Sequence, residues 1–293
     1  MGESMNIAVV IASTRRPTEL ARWAEHIRNQ TLAPSRVIFA IARPEDLPPD
    51  FNVPGIEVIQ APLGLPAQRN AALNLLDDTT DLVAFYDDDF VPAAFSLEAM
   101  ARLFSDHPDV VAASGHVVLD GIGSAGISYE VASSLVASLK PVAPEAVALV
   151  PIDGTYGCNM AFRFNAIGRE RFDERLPLYG WLEDVDFSNR VGRNGAVVRT
   201  NAFMGVHQGV KLGRGPGRQF GYSQIANPLH LRGKQSIRAD HAYQLMARNI
   251  LMNHLRMFWP EPWIDRRGRA WGNWVALWHK LRGRLSPERV LEL

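Results

Sequence analysis

The sequence predicts an α/β fold, with a mostly parallel central sheet flanked by helices and a helical extension at the C-terminus. Short apolar runs alternate with helical patterns through the first third of the 293-residue chain, which is typical of βαβ units. A hydrophobic content of 47% is ample for the core of one large α/β domain with an appendage. Basic and aromatic residues concentrate after residue 230, which sets the C-terminal extension apart.

The strands and helices follow from the apolar patterns. Segments 7–12 and 81–86 are short apolar runs, which are typical of buried parallel strands. Segment 17–29 has apolar residues from Leu20 to Ile27 at spacings of three and four, which predicts a helix. The same patterns predict strands at 36–41, 56–59 and 110–119 and helices at 66–76 and 96–104.

Segment 120–150 is poor in charge, and we interpret it as an insertion over the sheet with one short helix near 127–139. The single cysteine, Cys158, excludes an intramolecular disulfide and fits a reducing compartment. No Cys-His signature surrounds it, so a small buried residue is favoured over a nucleophile. No apolar run reaches the roughly 20 residues that span a bilayer, and residues 1–12 lack a signal-peptide pattern, so a cytoplasmic protein is expected.

Three aspartates, Asp87 to Asp89, directly follow the predicted strand 81–86. Their mutual repulsion requires a compensating partner, and a divalent cation that shares carboxylate oxygens with phosphates would supply it. The carboxyl ends of parallel strands are also where open α/β sheets bind ligands. A solvated loop or a helix N-cap is the alternative. The chain has no GxGxxG or Walker A motif, which disfavours a dehydrogenase or a P-loop enzyme.

Several motifs occur in a set order and together carry a family resemblance. In the second half they are Asn159-Met160-Ala161-Phe162-Arg163, Phe172-Asp173-Glu174, Glu183-Asp184-Val185-Asp186 with Arg190, then Gly195 and His207. In the first half they are Gly64-Leu65-Pro66-Ala67-Gln68-Arg69-Asn70 and Asp87-Asp88-Asp89. Over about residues 5–210 the chain resembles the family 2 glycosyltransferases, whose GT-A fold has a Rossmann-like sheet flanked by helices.

The resemblance implies inverting transfer of a hexosyl or deoxyhexosyl group from a nucleotide-diphosphate sugar to a glycan or lipid-linked glycan, as in cell-surface polysaccharide synthesis. Displacement at an anomeric carbon passes through an oxocarbenium-like transition state. A bound cation would stabilise the leaving diphosphate, and a carboxylate would take the acceptor's proton. Two other classes stay open. One is a nucleotidyltransferase, which normally has a Gly-rich basic loop where this chain has Ser13-Thr14-Arg15-Arg16; the other is a non-catalytic glycan-binding protein.

The order of motifs implies a metal site. By resemblance, Asp87, Asp89 and His207 are the expected ligands, and Asp87 and Asp88 are expected to serve the nucleotide diphosphate as well. Two carboxylates and an imidazole suit Mn²⁺, for which Mg²⁺ could substitute. For a lone histidine, a structural role is the alternative.

The acidic motif of the second half implies the base. Asp184 is the expected general base, and Glu183 is either an alternative base or a contact for acceptor hydroxyls. Trp181 and Asn159 are expected on the acceptor side. The acidic residues also suit the first turn of a helix, where they favour its dipole, and the two interpretations are compatible.

The nucleotide is expected near Thr14, Arg43 and Arg69. Many family members hold uracil with an acidic pair after the second strand, whereas this chain has Ala42-Arg43-Pro44-Glu45-Asp46 there. That departure leaves the identity of the nucleotide open. Arg69 could equally be a structural ion-pair residue.

Glycines and cations alternate in segment 209–218. We interpret it as a lid in which Lys211, Arg214 and Arg218 close over the donor diphosphate and exclude water. A plain surface loop is the alternative.

The chain is predicted to divide into a catalytic domain, 1–230, and an extension, 231–293. The nucleotide-sugar half of the domain covers about 1–119 and the acceptor half about 150–220. The extension holds 12 Lys and Arg against 5 Asp and Glu, a net charge of +7, and the rest holds 19 against 26, a net charge of −7.

A helix with a Trp-rich, basic surface suits anionic lipid, so peripheral contact with the inner face of the cell membrane is one expectation for the extension. Packing on the domain or a homodimer contact is the alternative. We expect the helix at 238–258 to pack on the domain and only the segment after Pro262 to reach a membrane. Nucleic acid is a poorer partner, because the rest of the chain is acidic.

Overall fold

The computed structural model describes residues 5–212 and 215–293. Within them, nine strands form one sheet and nine α-helices flank or extend it. The strands are β1 (Ile7–Ser13), β2 (Arg36–Ile41), β3 (Glu57–Gln60), β4 (Leu82–Asp87), β5 (Phe90–Pro92), β6 (Val110–Asp120), β7 (Leu149–Pro151), β8 (Asn159–Arg163) and β9 (Ala196–His207). The helices are α1 (Pro17–Arg28), α2 (Leu65–Leu73), α3 (Ser96–Asp106), α4 (Tyr129–Ser138), α5 (Phe164–Ile167), α6 (Glu183–Val191), α7 (Gly217–Gly233), α8 (Ala239–Arg256) and α9 (Arg266–Leu281).

The sheet has the strand order β3-β2-β1-β4-β8-β6-β9-β5, and β7 pairs with β9. The first four strands in this order are parallel. Strand β8 runs antiparallel between β4 and β6, and β6 is parallel to β9, so the second half of the sheet is mixed. All seven residues of β1 are buried, as expected for a strand that is covered on both faces. The predicted α/β sheet with flanking helices and a helical extension is confirmed.

The predicted elements are present with small shifts at their ends. The helix expected at 66–76 ends at Leu73, and the one expected near 127–139 is α4. Cys158 is buried and free, as predicted.

Three registers bring chemistry-bearing residues to one edge of the sheet. Asp87 ends β4 opposite Ala12 of β1. Phe90 of β5 lies opposite His207, the last residue of β9. Asn159, the first residue of β8, pairs with Tyr86 of β4. The edge therefore collects the ends of β1, β4 and β9, which is where an open α/β sheet binds ligands.

The two α-helices of the extension, α8 and α9, both contact α7, and the three helices form one layer. Its core contains Tyr222 and Ile225 of α7, Met246 of α8 and Ala276 of α9. The predicted domain boundary at residue 230 falls inside α7, and the division into two domains stays a prediction.

Helix α9 packs as well as the helix expected at 238–258, and contact of the segment after Pro262 with a membrane stays a prediction. Its buried face consists of Ala270, Gly272, Asn273 and Ala276. The Asn273 side chain donates a hydrogen bond to the carbonyl of Gly221 in α7 at 2.6 Å. A Cβ on Gly272 would lie 2.1 Å from the Arg218 carbonyl oxygen, so the two backbones approach too closely for any side chain there. Among the described residues, no helix is both long and apolar enough to cross a bilayer.

Candidate active site at the carboxyl edge of the sheet

Three side chains that can bind a metal converge where β4 and β9 end. Asp87, Asp89 and His207 each place one ligand atom within 4.8 Å of the others. His207 Nε2 lies 3.3 Å from Asp89 Oδ1, which is buried and has no hydrogen-bond partner among the described residues. A buried carboxylate oxygen that accepts no hydrogen bond is costly, and a cation would relieve that cost. The residues therefore fit a divalent cation such as Mn²⁺ or Mg²⁺.

A second layer fixes the imidazole of His207. Its Nδ1 lies 2.9 Å from Asp120 Oδ1, and the Tyr156 hydroxyl donates to Asp120 Oδ2 at 2.9 Å. A proton held on Nδ1 by Asp120 leaves Nε2 to face the two aspartates, as in the carboxylate–histidine pairs of metal sites. Burial lowers the pKa of His207, but Asp120 and Asp89 outweigh it and raise that pKa to about 10, so a cation that binds Nε2 would displace its proton.

Arg16 joins the acidic cluster to the segment that follows β9. Its guanidinium donates to Asp88 Oδ1 at 2.7 Å and to the carbonyl oxygens of Val210 and Leu212. The Val210 N–H in turn donates to Asp89 Oδ2 at 2.7 Å. The described part of the predicted lid is thus fastened onto the aspartates.

The three cations of the predicted lid, Lys211, Arg214 and Arg218, differ from one another in their surroundings. The Lys211 ammonium donates to the carbonyl oxygens of Gly121 and Ile122 at 2.9 and 3.0 Å, which differs from its predicted place on the donor diphosphate. Arg218 is exposed in the first turn of α7. Arg214 lies outside the described residues.

Arg69 links the two acidic motifs from inside the protein. It is 1% exposed, forms a short ion pair with Glu183 and a second with Asp87 at 3.1 Å, and donates to the Gly157 carbonyl at 2.9 Å. A side chain that is enclosed in this way does not reach a nucleotide, so the ion-pair alternative describes Arg69 better than the predicted nucleotide contact.

Asp184 lies beside this link, in the first turn of α6. Its Oδ2 accepts from the Gly157 N–H at 2.7 Å, and its Oδ1 accepts from the Val185 N–H at 2.9 Å. Burial raises the pKa of Asp184, and these hydrogen bonds act in the opposite direction. Glu183 is 3% exposed and held by Arg69, so Asp184 is the more accessible of the two candidate bases.

The predicted nucleotide residues Thr14 and Arg43 flank a buried carboxylate. Asp46 accepts from the Thr14 hydroxyl at 3.3 Å and from the N–H groups of Arg15 and Arg43 at 2.6 and 2.9 Å. It therefore holds the loops after β1 and β2 together. Arg43 itself is exposed at this edge.

The two predicted acceptor residues differ in access. Trp181 is half-buried, and its ring lies 6.0 Å from that of Phe220 in α7. Asn159 is 1% exposed and lies against Phe203 and Gly115 in the interior. Asn159 is therefore shielded from solvent in this structure, and its contact with an acceptor stays a prediction.

Comparisons with known proteins rest on structure. No protein-family model matches the sequence, and a search of curated proteins found no match either. The crystal structure of S. aureus TarS residues 1–349 is similar with a TM-score of 0.54 and 13% identity, over 98% of this chain and 82% of that one. The same fragment in complex with UDP gives a TM-score of 0.50 and 14% identity, over 87% of this chain and 72% of that one.

A longer S. aureus TarS structure gives a TM-score of 0.50 and 14% identity, over 88% of this chain. The match covers 44% of that TarS chain, so this protein spans less than half of it. At these identities the likeness concerns the fold. The chain thus has the α/β fold of the structures of TarS residues 1–349, with its acidic cluster at the carboxyl edge of the sheet.

Proposed function

We propose that this protein is a metal-dependent, inverting glycosyltransferase that moves a hexosyl or deoxyhexosyl group from a nucleotide-diphosphate sugar to a glycan or lipid-linked glycan. The observation that carries the proposal is the convergence of Asp87, Asp89 and His207. The fold supports the proposal too, because TarS is a glycosyltransferase and one of the TarS structures similar to this chain contains UDP. The acceptor class follows from the sequence resemblance to polysaccharide-building transferases.

In this proposal Asp87, Asp89 and His207 hold the cation, and Asp120 keeps His207 oriented. A cation bound there would stabilise the negative charge that gathers on the leaving diphosphate. The proposal assigns the nucleoside to Thr14 and Arg43, which follow the ends of β1 and β2. UDP-sugars are the first donors to test, since a similar structure binds UDP.

Asp184 is the proposed general base. The acceptor oxygen attacks the anomeric carbon while the bond to the diphosphate oxygen breaks, and the acceptor proton passes to the Asp184 carboxylate. One displacement inverts the anomeric configuration and needs no covalent intermediate. Glu183 is a weaker candidate, because Arg69 already occupies its carboxylate.

Arg16, which belongs to no sequence motif, is proposed to position the segment that follows β9. By tying Val210 and Leu212 to Asp88, it holds the segment after β9 over the edge of the sheet. A closed segment at this place would keep water from the donor, which protects it from hydrolysis.

Incubation of the full chain with a panel of nucleotide sugars and Mn²⁺ tests the proposal. Release of a nucleoside diphosphate that chelation by EDTA abolishes is expected. NMR of the product's anomeric centre should show inversion. Pyrophosphate release would instead indicate a nucleotidyltransferase, and donor binding without turnover would indicate a glycan-binding protein. Product with retained configuration would contradict the single displacement.

A further inference from the structure

The extension exposes large apolar side chains on one side. We call the outer face the surface formed by Leu251 and Leu255 of α8, Trp259, and Trp271, Trp274 and Trp278 of α9. Each of these side chains is between 53% and 78% exposed. Isolated apolar residues on a surface need no explanation, but a cluster of this kind marks an interaction site.

Helical spacing places the tryptophans together. Trp271, Trp274 and Trp278 follow one another at spacings of three and four, so they share one side of α9, opposite the side that packs on α7. The ring of His254 in α8 lies 5.8 Å from that of Trp274, which joins the exposed sides of the two helices. The outer face is therefore one surface, built on helices that are already packed.

Exposed cations accompany these residues. They are Arg248, Arg256, Arg267, Lys280, Arg282 and Arg284, and none of them has a salt bridge within the part of the chain that the structure describes. The Arg282 guanidinium lies 4.3 Å from the ring centre of Trp278, so charge and aromatic surface occupy the same place.

The acidic residues of the extension do not neutralise this charge. Glu261 pairs with Arg266, Glu288 with Arg175, Glu292 with Arg289 and Asp240 with Arg238. Asp265 caps the first turn of α9 by accepting from the Gly268 N–H. The net charge of +7 in residues 231–293, from 12 basic against 5 acidic residues, thus belongs largely to cations without acidic partners.

We propose that the outer face binds the surface of an anionic lipid bilayer, with its indole rings at the level of the headgroups and its cations on the lipid phosphates. Moving tryptophan and leucine side chains from water into the interfacial region lowers the free energy. Each nearby cation adds electrostatic attraction to the anionic headgroups. The proposal goes beyond the transfer chemistry and does not depend on it.

Charge decides between this occupant and a second copy of the chain. A two-fold dimer through the outer face would set the same patch against itself. The unpaired arginines of the two copies would then approach one another, and like-charge juxtaposition across an interface is unfavourable. An anionic surface instead satisfies the cations and the tryptophans together.

A chain of ring contacts leads from α9 towards the candidate acceptor residue. The Arg269 guanidinium lies 4.4 Å from the ring centre of Phe220, and that ring contacts Trp181 at 6.0 Å. Trp181 is two residues before Glu183. These contacts start on the side of α9 that packs on α7, opposite the outer face, and they connect that side of the helix to the candidate acceptor residue.

Flotation of the full chain with vesicles tests the proposal. Vesicles of phosphatidylcholine alone are compared with vesicles that contain about 30% phosphatidylglycerol. Binding is expected only to the anionic vesicles, and it should weaken between about 0.05 and about 0.5 M NaCl, because salt screens the attraction. Equal binding to both vesicle types, or to neither, would overturn the proposal.

Two variants and a matched control locate the surface. The variant R267E/R282E/R284E should lower the partition coefficient on the order of 100-fold, and W271A/W274A/W278A should also lower it. The control R28E/R193E/R199E reverses three exposed arginines on the sheet domain and changes the net charge equally, so it should bind almost as the unaltered chain does. Circular dichroism and nucleotide-sugar turnover in solution report whether each variant is folded.

Three results would overturn the assignment. The first is a control that loses as much binding as R267E/R282E/R284E. The second is a dimer in sedimentation that W271A/W274A/W278A converts to a monomer, which would make the outer face a contact between copies. The third is a single-stranded oligonucleotide that binds the full chain and displaces the vesicles, which would make nucleic acid the occupant.

Discussion

At the scale of single residues, the two ring nitrogens of His207 face different carboxylates, and these contacts fix the orientation of its imidazole. Nδ1 lies 2.9 Å from Asp120, while Nε2 points towards Asp89. Asp120 lies 87 positions from His207 and belongs to no motif, so no spacing in the sequence could reveal the contact. Only the pairing of β6 with β9, which sets Asp120 opposite His207, brings them together.

Asp120→Asn tests this orientation. Asparagine keeps the size and a hydrogen-bonding oxygen but loses the charge that holds the proton on Nδ1. Mn²⁺ affinity, measured by isothermal titration calorimetry on the full chain, should fall by about 10- to 100-fold. Tyr156→Phe removes only the hydroxyl that supports Asp120, and a smaller loss is expected there. Unchanged affinity in Asp120→Asn would show that His207 needs no such partner.

The pair Asp184→Asn and Glu183→Gln separates chemistry from structure. Asp184→Asn should reduce kcat by ~10²–10⁴-fold with little change in donor KM, because a general base is lost. Glu183→Gln leaves the buried Arg69 with one acidic partner fewer, so its main effect should be a lower free energy of unfolding, by up to about 3–5 kcal/mol. Steady-state kinetics and urea unfolding measure the two effects. If Glu183→Gln stays fully stable and loses only kcat, the roles are reversed.

The sequence predicted which residue types form the candidate site but not which of them reach a ligand. Asp87, Asp89 and His207 do converge, as their motif order implied. Arg69 and Asn159 turned out to be buried, because their neighbours Glu183 and Phe203 come from distant segments. Arg16, in contrast, was not predicted as a site residue, because it lies in a loop without a motif. It nevertheless forms ion pairs with both Asp88 and Asp89.

At the scale of elements, strands were easier to predict than the packing of the last helix. Buried strands such as β4 are continuous apolar runs, and a run of this kind is visible in the sequence itself. Helix α9 packs through Ala270, Gly272 and Ala276, which give no hydrophobic signal. Its tryptophans lie on the opposite, exposed side. The large apolar residues of α9 therefore do not predict which face of the helix is buried.

Gly272→Ala tests the close packing of α9 on α7. An added Cβ would meet the Arg218 carbonyl oxygen at 2.1 Å, so the helices must separate. The expected cost is about 1–3 kcal/mol in the free energy of unfolding, measured by urea titration. Gly233→Ala is the matched control, because a Cβ at that end of α7 meets no atom within 4 Å. Equal stability of the two variants would mean that α9 is not packed as described.

At the scale of the whole molecule, the net charge of zero conceals two opposed parts. Residues 1–230 carry a net charge of −7 and contain the candidate metal site, whereas residues 231–293 carry +7 and contain the exposed tryptophans. Composition predicted this asymmetry, because charge can be counted along the chain. Which charges remain unpaired depends on tertiary contacts, such as the ion pair between Glu288 of the extension and Arg175 of the domain.

The stability of the whole fold should depend on pH through His26. This histidine is 8% exposed between the rings of Trp23 and Tyr129, and burial, with a contribution from Arg22, lowers its pKa from 6.5 to about 4. Between these pH values the unfolded chain binds a proton that the folded chain does not. The contribution of His26 to the free energy of unfolding should therefore be full above pH about 6.5 and fall as the pH drops towards about 4.

The loss attributable to His26 is at most about 3 kcal/mol, since one pKa unit corresponds to about 1.4 kcal/mol. Urea unfolding from pH 7 down to pH 4 measures it, and His26→Gln should give a flatter curve because glutamine does not titrate. His116→Gln, at an exposed position of β6, is the matched control, and its curve should keep the slope of the unaltered chain. If His26→Gln keeps that slope as well, the acid sensitivity arises from other groups and His26 is not buried in its neutral form.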